Sequence, residues 1–275
     1  MPRGVSWSLL SWNVAGRVAL QASQAEVVAS EASDVVALQE VTTSTATRWR
    51  EQLADVGLVH SIFSFDLAPP DFIPKGPRRL GLILAARWPL QAGDPQRFKV
   101  PWPEQILSAV AARPNRDFEI HTTHVPPGVS NGWIKIEHLE GLFSGLAVKP
   151  VSRPCILCGD FNTPRRELVT GEVLTFAQTE HGRPKPGRGT RWDAAERNIL
   201  TGLSGIGMPD VYRSLYGYKP QPASWVVKRA AATFGRRFDH VFASNDAKAV
   251  SMQYRDEWRL TGLSDHSGLV VTFDP

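Results

Sequence analysis

A short apolar run, Cys155 to Cys158, lies between Pro154 and Gly159 and has the length and flanks of a buried β-strand. Two polar residues, Asp160 and Asn162, follow with Phe161 between them. Side chains alternate between faces along an extended chain. If that geometry persists past Gly159, Asp160 and Asn162 point to one side and Phe161 to the other. A carboxylate beside a carboxamide at a strand end suits hydrolysis, because the first accepts a proton from water and the second offers both a donor and an acceptor. An Asx turn that merely closes the strand accounts for the same residues.

The rest of the chain repeats this pattern of strands ending in polar residues. Val5 to Val14 reads as a strand ending at Asn13, and Leu20 to Ser33 carries apolar residues at helical spacing. Asp34 to Leu38 returns to strand, with Glu40 just past its end, where α/β sheets place their chemistry. Ser44 to Val56 reads as a helix with Trp49, Leu53 and Val56 on one face, and Gly57 to Phe65 as another strand. Leu80 to Ala85 is a buried strand, preceded by a Pro-rich loop that ends in Arg78 and Arg79. Leu107 to Ala112 and Phe118 to Thr123 form a strand pair around a turn, with His124 at its end. His121, three residues before His124, faces the opposite side and reads as structural.

Asn131 to Leu146 has a helical pattern whose Lys135 and His138 read most simply as surface residues; Val151 then leads into the central strand. Arg166 to Phe176 has no clear pattern. His181 to Arg191, with three glycines, two prolines and four basic residues, is a loop, and Trp192 to Leu203 looks helical. The strand–helix alternation points to stacked sheets with helices outside.

Composition narrows the classes further. With 42% hydrophobic residues, 275 residues can bury a sizeable core, and no domain boundary or internal repeat divides 1–275, so one domain is expected. A net charge of +4 permits an anionic partner but supplies no dense basic arm. No run approaches the about 18 apolar residues of a membrane span, and the N-terminus is too short for a signal peptide. Cys155 and Cys158 sit at i and i+3 of one strand and point apart, so they read as core residues of a reduced, cytoplasmic protein.

Taken in order, Ser11-Trp12-Asn13, Leu38-Gln39-Glu40, Thr122-Thr123-His124, Gly159-Asp160-Phe161-Asn162, Arg237-Phe238-Asp239-His240 and Ser264-Asp265-His266 resemble the endonuclease/exonuclease/phosphatase superfamily. The likeness runs from about residue 7 to residue 273. Asp210 to Tyr216 and Ser224-Trp225 resemble the segments before the last hairpin of exonuclease III-like AP endonucleases. The resemblance implies a four-layered α/β sandwich, two packed mixed β-sheets flanked by helices. It also implies a metal-dependent phosphoric ester hydrolase.

In that family Glu40 would be the principal metal ligand, with Asn13 and Asp265 nearby. Asp160 would orient or deprotonate the attacking water, assisted by Asn162. His266 would contact the scissile phosphate, held charged by Asp239, and His124 would stand where deoxyribonuclease I-like members carry His and many AP endonucleases carry Tyr. Arg79 is a candidate phosphate contact, and Trp225 a wall of the substrate cleft. The oxygen-rich set without a thiolate favours Mg²⁺, with Mn²⁺ as a substitute. The expected substrate is nucleic acid, DNA favoured, cut by a monomer. A small-molecule or phospholipid head-group phosphatase and a silent nucleic-acid-binding module are the alternatives.

Overall fold

The computed structural model describes residues 6–94, 96–148, 153–229 and 232–275. Val5 and Val151, assigned above to strands, lie outside the described residues. In chain order the strands are β1 (Trp7–Asn13), β2 (Val35–Thr42), β3 (His60–Phe63), β4 (Leu80–Ala86) and β5 (Leu90–Ala92). There follow β6 (Ile106–Ala111), β7 (Phe118–His124), β8 (Cys155–Asp160), β9 (Arg166–Glu167) and β10 (Val173–Leu174). The last are β11 (Trp225–Arg229), β12 (Ala232–Arg236), β13 (Asp239–Ala243), β14 (Ala249–Arg255) and β15 (Gly268–Phe273).

One six-stranded sheet has the order β14-β15-β1-β2-β4-β3, and a five-stranded sheet the order β13-β8-β7-β6-β5. Each is mixed: β1 runs parallel to β2 and β7 parallel to β8, while their other neighbours are antiparallel. Period-two alternation explains the layering. On β1, Leu9 points between the sheets and Leu10 and Trp12 point outward; on β8, Ile156 and Cys158 point between the sheets and Leu157 outward. The inter-sheet core contains Leu9, Val35, Leu84, Ile120, Ile156 and Val241. The outer face of the first sheet is covered by the helices Gln21–Ser30, Thr43–Asp55 and Asp256–Leu260, through Val28, Trp49, Leu53 and Trp258. The helices Trp133–Ala147 and Gly189–Arg197 cover the second sheet through Ile136, Leu139, Leu142 and Trp192. This is the four-layered sandwich. Among the described residues no helix is long and apolar enough to cross a membrane.

Three expectations change. Gly57 to Phe65 is strand only over His60–Phe63, then turns into a 3₁₀ helix. The patternless Arg166–Phe176 segment holds the β9–β10 hairpin. Lys135 and His138 are not surface residues: they are 1% and 0% exposed. Position 135 lies four and seven residues before Leu139 and Leu142, so helical spacing alone carries its side chain inward. The ammonium is tolerated there because Glu196 Oε1 accepts from Lys135 Nζ at 2.6 Å. Both cysteines are free thiols.

Candidate active site

The ends of β1, β2, β7, β8 and β13 and the loop before β15 meet at one rim, and Asp160 lies at its centre with 1% exposure. Its Oδ2 accepts from Asn13 Nδ2 at 3.0 Å and from Asn162 Nδ2 at 3.3 Å, and lies 3.7 Å from His266 Nε2 and 3.8 Å from His124 Nε2. Its Oδ1 accepts from the Asn162 backbone N–H at 2.8 Å. Three stretches remote in sequence, at Asn13, His124 and His266, therefore converge on one carboxyl group together with its near neighbour Asn162.

Local backbone geometry makes this possible. Gly159 approaches β7 so closely that a Cβ would lie 2.0 Å from Thr123 O, and its φ of +132° also disfavours a side chain. Asn162 is next to Asp160 not by extended alternation but because it turns left-handed, with φ of +50°. Phe161 meanwhile packs into the helix-side core. Glu40 is left-handed too, with φ of +58°, where the β2–β4 register slips between Leu38 and Val41. A bulge of this kind re-aims a side chain. Both residues hold conformations that cost an L-residue roughly 1–2 kcal/mol, and such strain concentrates at functional sites.

Glu40 and His124 complete one side of the cluster. Asn13 Nδ2 donates to Glu40 Oε1 at 3.0 Å, and His124 Nε2 lies 3.4 Å from the same oxygen. Gln105 sets the imidazole: its Nε2 donates to Leu80 O, which leaves Oε1 to accept from His124 Nδ1 at 3.2 Å. His124 Nε2 therefore faces the carboxyl groups. Ligand atoms of Glu40, His124 and Asp160 all lie within 4.8 Å of one another, a hard, largely oxygen set compatible with a divalent cation. Asp160, Asp239 and His266 form a second such group. A protonated imidazole offers no lone pair, so this second group suits proton handling instead.

That protonation follows from the surroundings. Burial works against the His266 charge, but Asp239 and Asp160 outweigh it and push its pKa up to about 10. His266 Nδ1 donates to Asp239 Oδ2 at 2.8 Å. Asp160 is moved up to about 6, chiefly by burial and further by Asp239, against the opposing pull of His266 and His124. Ser264 ties the two sides together, donating to Asn13 O at 2.6 Å and accepting from the His266 N–H at 3.1 Å.

Of the remaining expected site residues, Asn13 lies within the cluster and the others lie outside it. Asn13 Oδ1 accepts from the Ala15 N–H, so its NH₂, a donor, faces the carboxyl groups; it clamps them and offers no ligand oxygen. Asp265 is exposed, and its Oδ2 accepts from Trp225 Nε1 at 3.2 Å, outside the two groups at this rim. Arg79 is exposed and donates to Gly76 O, while Arg78 forms a two-pronged pair with Glu104; among the described residues neither makes a hydrogen bond to the cluster. Trp225 stacks on Phe238, centroids 5.2 Å apart, and walls a cavity of about 250 Å³ beside Asn162. Phe176, Arg188 and Arg236 also line this cavity.

Sequence reasoning gave no site role to Gln105, named Ser224 only within the Ser224-Trp225 resemblance, and read Lys135 as a surface residue. Ser224 Oγ accepts from the Phe238 and Asp239 N–H groups and so sets the start of β13. Lys135 Nζ donates to Asn162 O at 2.9 Å from below. Only Lys135 carried a local signal, its place on an apolar helical face.

A sequence profile of the Endonuclease/Exonuclease/phosphatase family matches residues 10–266. The chain belongs to that family. Its members hydrolyse phosphoester bonds and are typically dependent on divalent metal, and the Glu40–His124–Asp160 group could hold one. No curated protein matches the sequence. Among solved structures, an AP endonuclease from Archaeoglobus fulgidus superposes with a TM-score of 0.72 at 19% identity, covering 98% of this chain and 100% of that one. The 3′ phosphatase NExo from Neisseria, bound to product DNA hairpin, gives 0.69 at 18% identity, over 98% and 100%. D. rerio TDP2 complexed with single strand DNA product gives 0.65 at 17% identity, over 99% and 100%. At these identities the likeness is one of fold.

Proposed function

We propose that the chain is a Mg²⁺-dependent phosphodiesterase that hydrolyses nucleic acid, DNA favoured, by direct attack of water, acting as one domain and as a monomer. The observation that carries the reading is the convergence of Asn13, His124, Asn162 and His266 on the single carboxyl group of Asp160. Glu40, with His124 Nε2 and the edge of Asp160, would hold the cation, which supplies Lewis-acid charge to the phosphoryl and leaving oxygens.

Asp160, moved up toward neutrality by burial, accepts the proton of the attacking water. The Asn162 backbone N–H holds Asp160 Oδ1 and its side-chain amide holds Oδ2, so the carboxyl group cannot rotate away. Protonated His266 donates from Nε2 to a nonbridging phosphoryl oxygen, where negative charge builds in the transition state. Asp239 keeps that imidazole charged and correctly turned. No side chain needs to form a covalent intermediate.

The cavity beside the cluster supports a nucleic-acid substrate. It offers stacked aromatic faces, Trp225 on Phe238, with Arg188 and Arg236 in its lining. Aromatic faces with nearby cations suit a sugar or base flanking the scissile phosphate. The neighbouring folds of AP endonuclease, NExo and TDP2 agree with that direction.

The test is a substrate panel at constant Mg²⁺: abasic-site duplex, single-stranded DNA, supercoiled plasmid and inositol phosphates. Cleavage of one or more DNA substrates, weakening steeply as salt rises, is expected. Turnover of inositol phosphates alone would move the chain to the small-phosphoester class, and binding of DNA without cleavage to a silent module.

A further inference from the structure

Glu119, His121 and Cys155 lie at the opposite end of the strands that carry the active site. β7 and β8 run parallel with Glu119 paired to Cys155 and His124 to Asp160, so one pair of strands carries both ends. Residues 119 and 121 share a face of β7, and strand pairing puts residue 155 on the same face. Ligand atoms of the three side chains lie within 4.8 Å of one another.

Two buried polar atoms in this group have no hydrogen-bond partner: His121 Nε2 and Glu119 Oε2. His121 is wholly buried, and its Nε2 is 3.6 Å from Glu119 Oε1. Its Nδ1 is 2.8 Å from Ser108 Oγ. A neutral ring that donates Nδ1–H to Ser108 presents a bare lone pair at Nε2, the arrangement of a metal-ligating histidine oriented by an outer hydrogen bond. Arg97 pairs with Glu119 Oε1 and leaves Oε2 uncommitted. Buried polar atoms are almost always satisfied, and here two unsatisfied ones belong to groups that meet beside a thiol.

We propose that Glu119, His121 and Cys155 form a second divalent-cation site, of the zinc class, separate from the catalytic cluster. Thiolate, imidazole and carboxylate together select a softer ion than the oxygen-rich rim does. Glu119 and Cys155 line a cavity of about 700 Å³, which provides a path of entry and room for water as a fourth ligand. Binding replaces the Cys155 S–H bond by an S–metal bond and releases the proton to solvent, with no change of oxidation state. Thiolate and carboxylate then balance the two charges of the ion, and Arg97 remains as an outer partner that fixes Oε1.

Co²⁺ is the probe, because a thiolate–cobalt bond gives a near-ultraviolet charge-transfer absorption that an oxygen and imidazole site cannot. The titration uses the full chain carrying Glu40→Gln, to weaken binding at the rim. One equivalent of Co²⁺ is expected to produce the band, and Zn²⁺ to displace it. Cys155→Ser should abolish the band with circular dichroism unchanged, Cys158→Ser should keep it, and Glu119→Gln should weaken Co²⁺ binding at least about tenfold. Zn²⁺ should raise the urea midpoint of the parent but not of Cys155→Ser. Absence of the band in folded protein at saturating Co²⁺, or its survival in Cys155→Ser, would overturn the site.

Discussion

Two buried polar clusters flank β13, and they differ in one respect. Behind the strand, Arg237 pairs with both Glu167 and Asp210, Arg213 pairs with Glu167 through two hydrogen bonds, and His240 Nδ1 sits 3.0 Å from Asp210. Burial opposes the Glu167 charge, yet Arg237 and Arg213 hold its pKa down at about 2, and Asp210 is likewise held low. In front, Asp160 and Asp239 share one protonated partner, His266, while Glu40 is met by the Asn13 amide and the His124 imidazole. Asp160 is pushed up and Asp239 Oδ1 has no hydrogen-bond partner. The rear cluster is compensated within the protein and so is structural. The front one lacks positive charge, and the proposed cation would compensate it there.

Substitutions on the two sides should therefore have opposite signatures. In the front cluster, His266→Ala removes a donor aimed at the developing charge, and turnover should fall by about 10²–10³-fold in steady-state assays of DNA cleavage. Asp160→Asn should also abolish turnover, because an amide cannot accept the proton of the attacking water. Asp210→Asn should lower the urea midpoint with turnover per folded molecule largely kept. Loss of turnover in both would break the contrast.

In the rear cluster, Arg237→Ala leaves Asp210 without its guanidinium and Glu167 with Arg213 alone, and should cost about 3–5 kcal/mol in urea unfolding. Turnover per folded molecule should stay far closer to wild type than in His266→Ala.

Stability against pH sharpens the comparison. The folded-state pKa of His266 is raised, so its contribution is complete below about 6.5 and fades as pH rises through about 10. The Glu167 pKa is depressed, so its contribution holds above about 4.5 and is lost as pH falls through about 2. Urea midpoints of wild type and His266→Asn should converge on the alkaline side; parallel curves there would remove His266 from the argument. The smallest effect belongs to the cavity: Trp225→Ala should raise KM for DNA by an amount equivalent to about 1–3 kcal/mol of lost stacking, with kcat little changed.

The polar ends of β1, β2, β7 and β8 were legible because each follows an apolar run that reveals the strand, whereas Asp239, at the start of β13, was legible only through the family resemblance. Two mixed sheets with outer helices followed from those runs and the family resemblance. What was hidden depends on partners remote in sequence or on backbone conformation. Lys135 stands on an apolar helical face, but its charge reads as surface until Glu196, 61 positions away, is known to meet it. Asp160 and Asn162 were expected to align through an extended backbone, whereas a left-handed Asn162 brings them together. Asp265 looked equivalent to the other carboxylates, but its bond to Trp225 turns it toward the cavity wall. The direction of the Asn13 amide depends on one backbone N–H, that of Ala15, which no residue pattern encodes.

The most direct test is turnover of DNA by chelated protein as Mg²⁺ is added back, in wild type and Glu40→Gln side by side. No turnover in EDTA, saturable recovery with Mg²⁺, and at least about tenfold more Mg²⁺ required by Glu40→Gln are expected. Full turnover in EDTA, or the same Mg²⁺ requirement in both proteins, would contradict a cation at the uncompensated cluster.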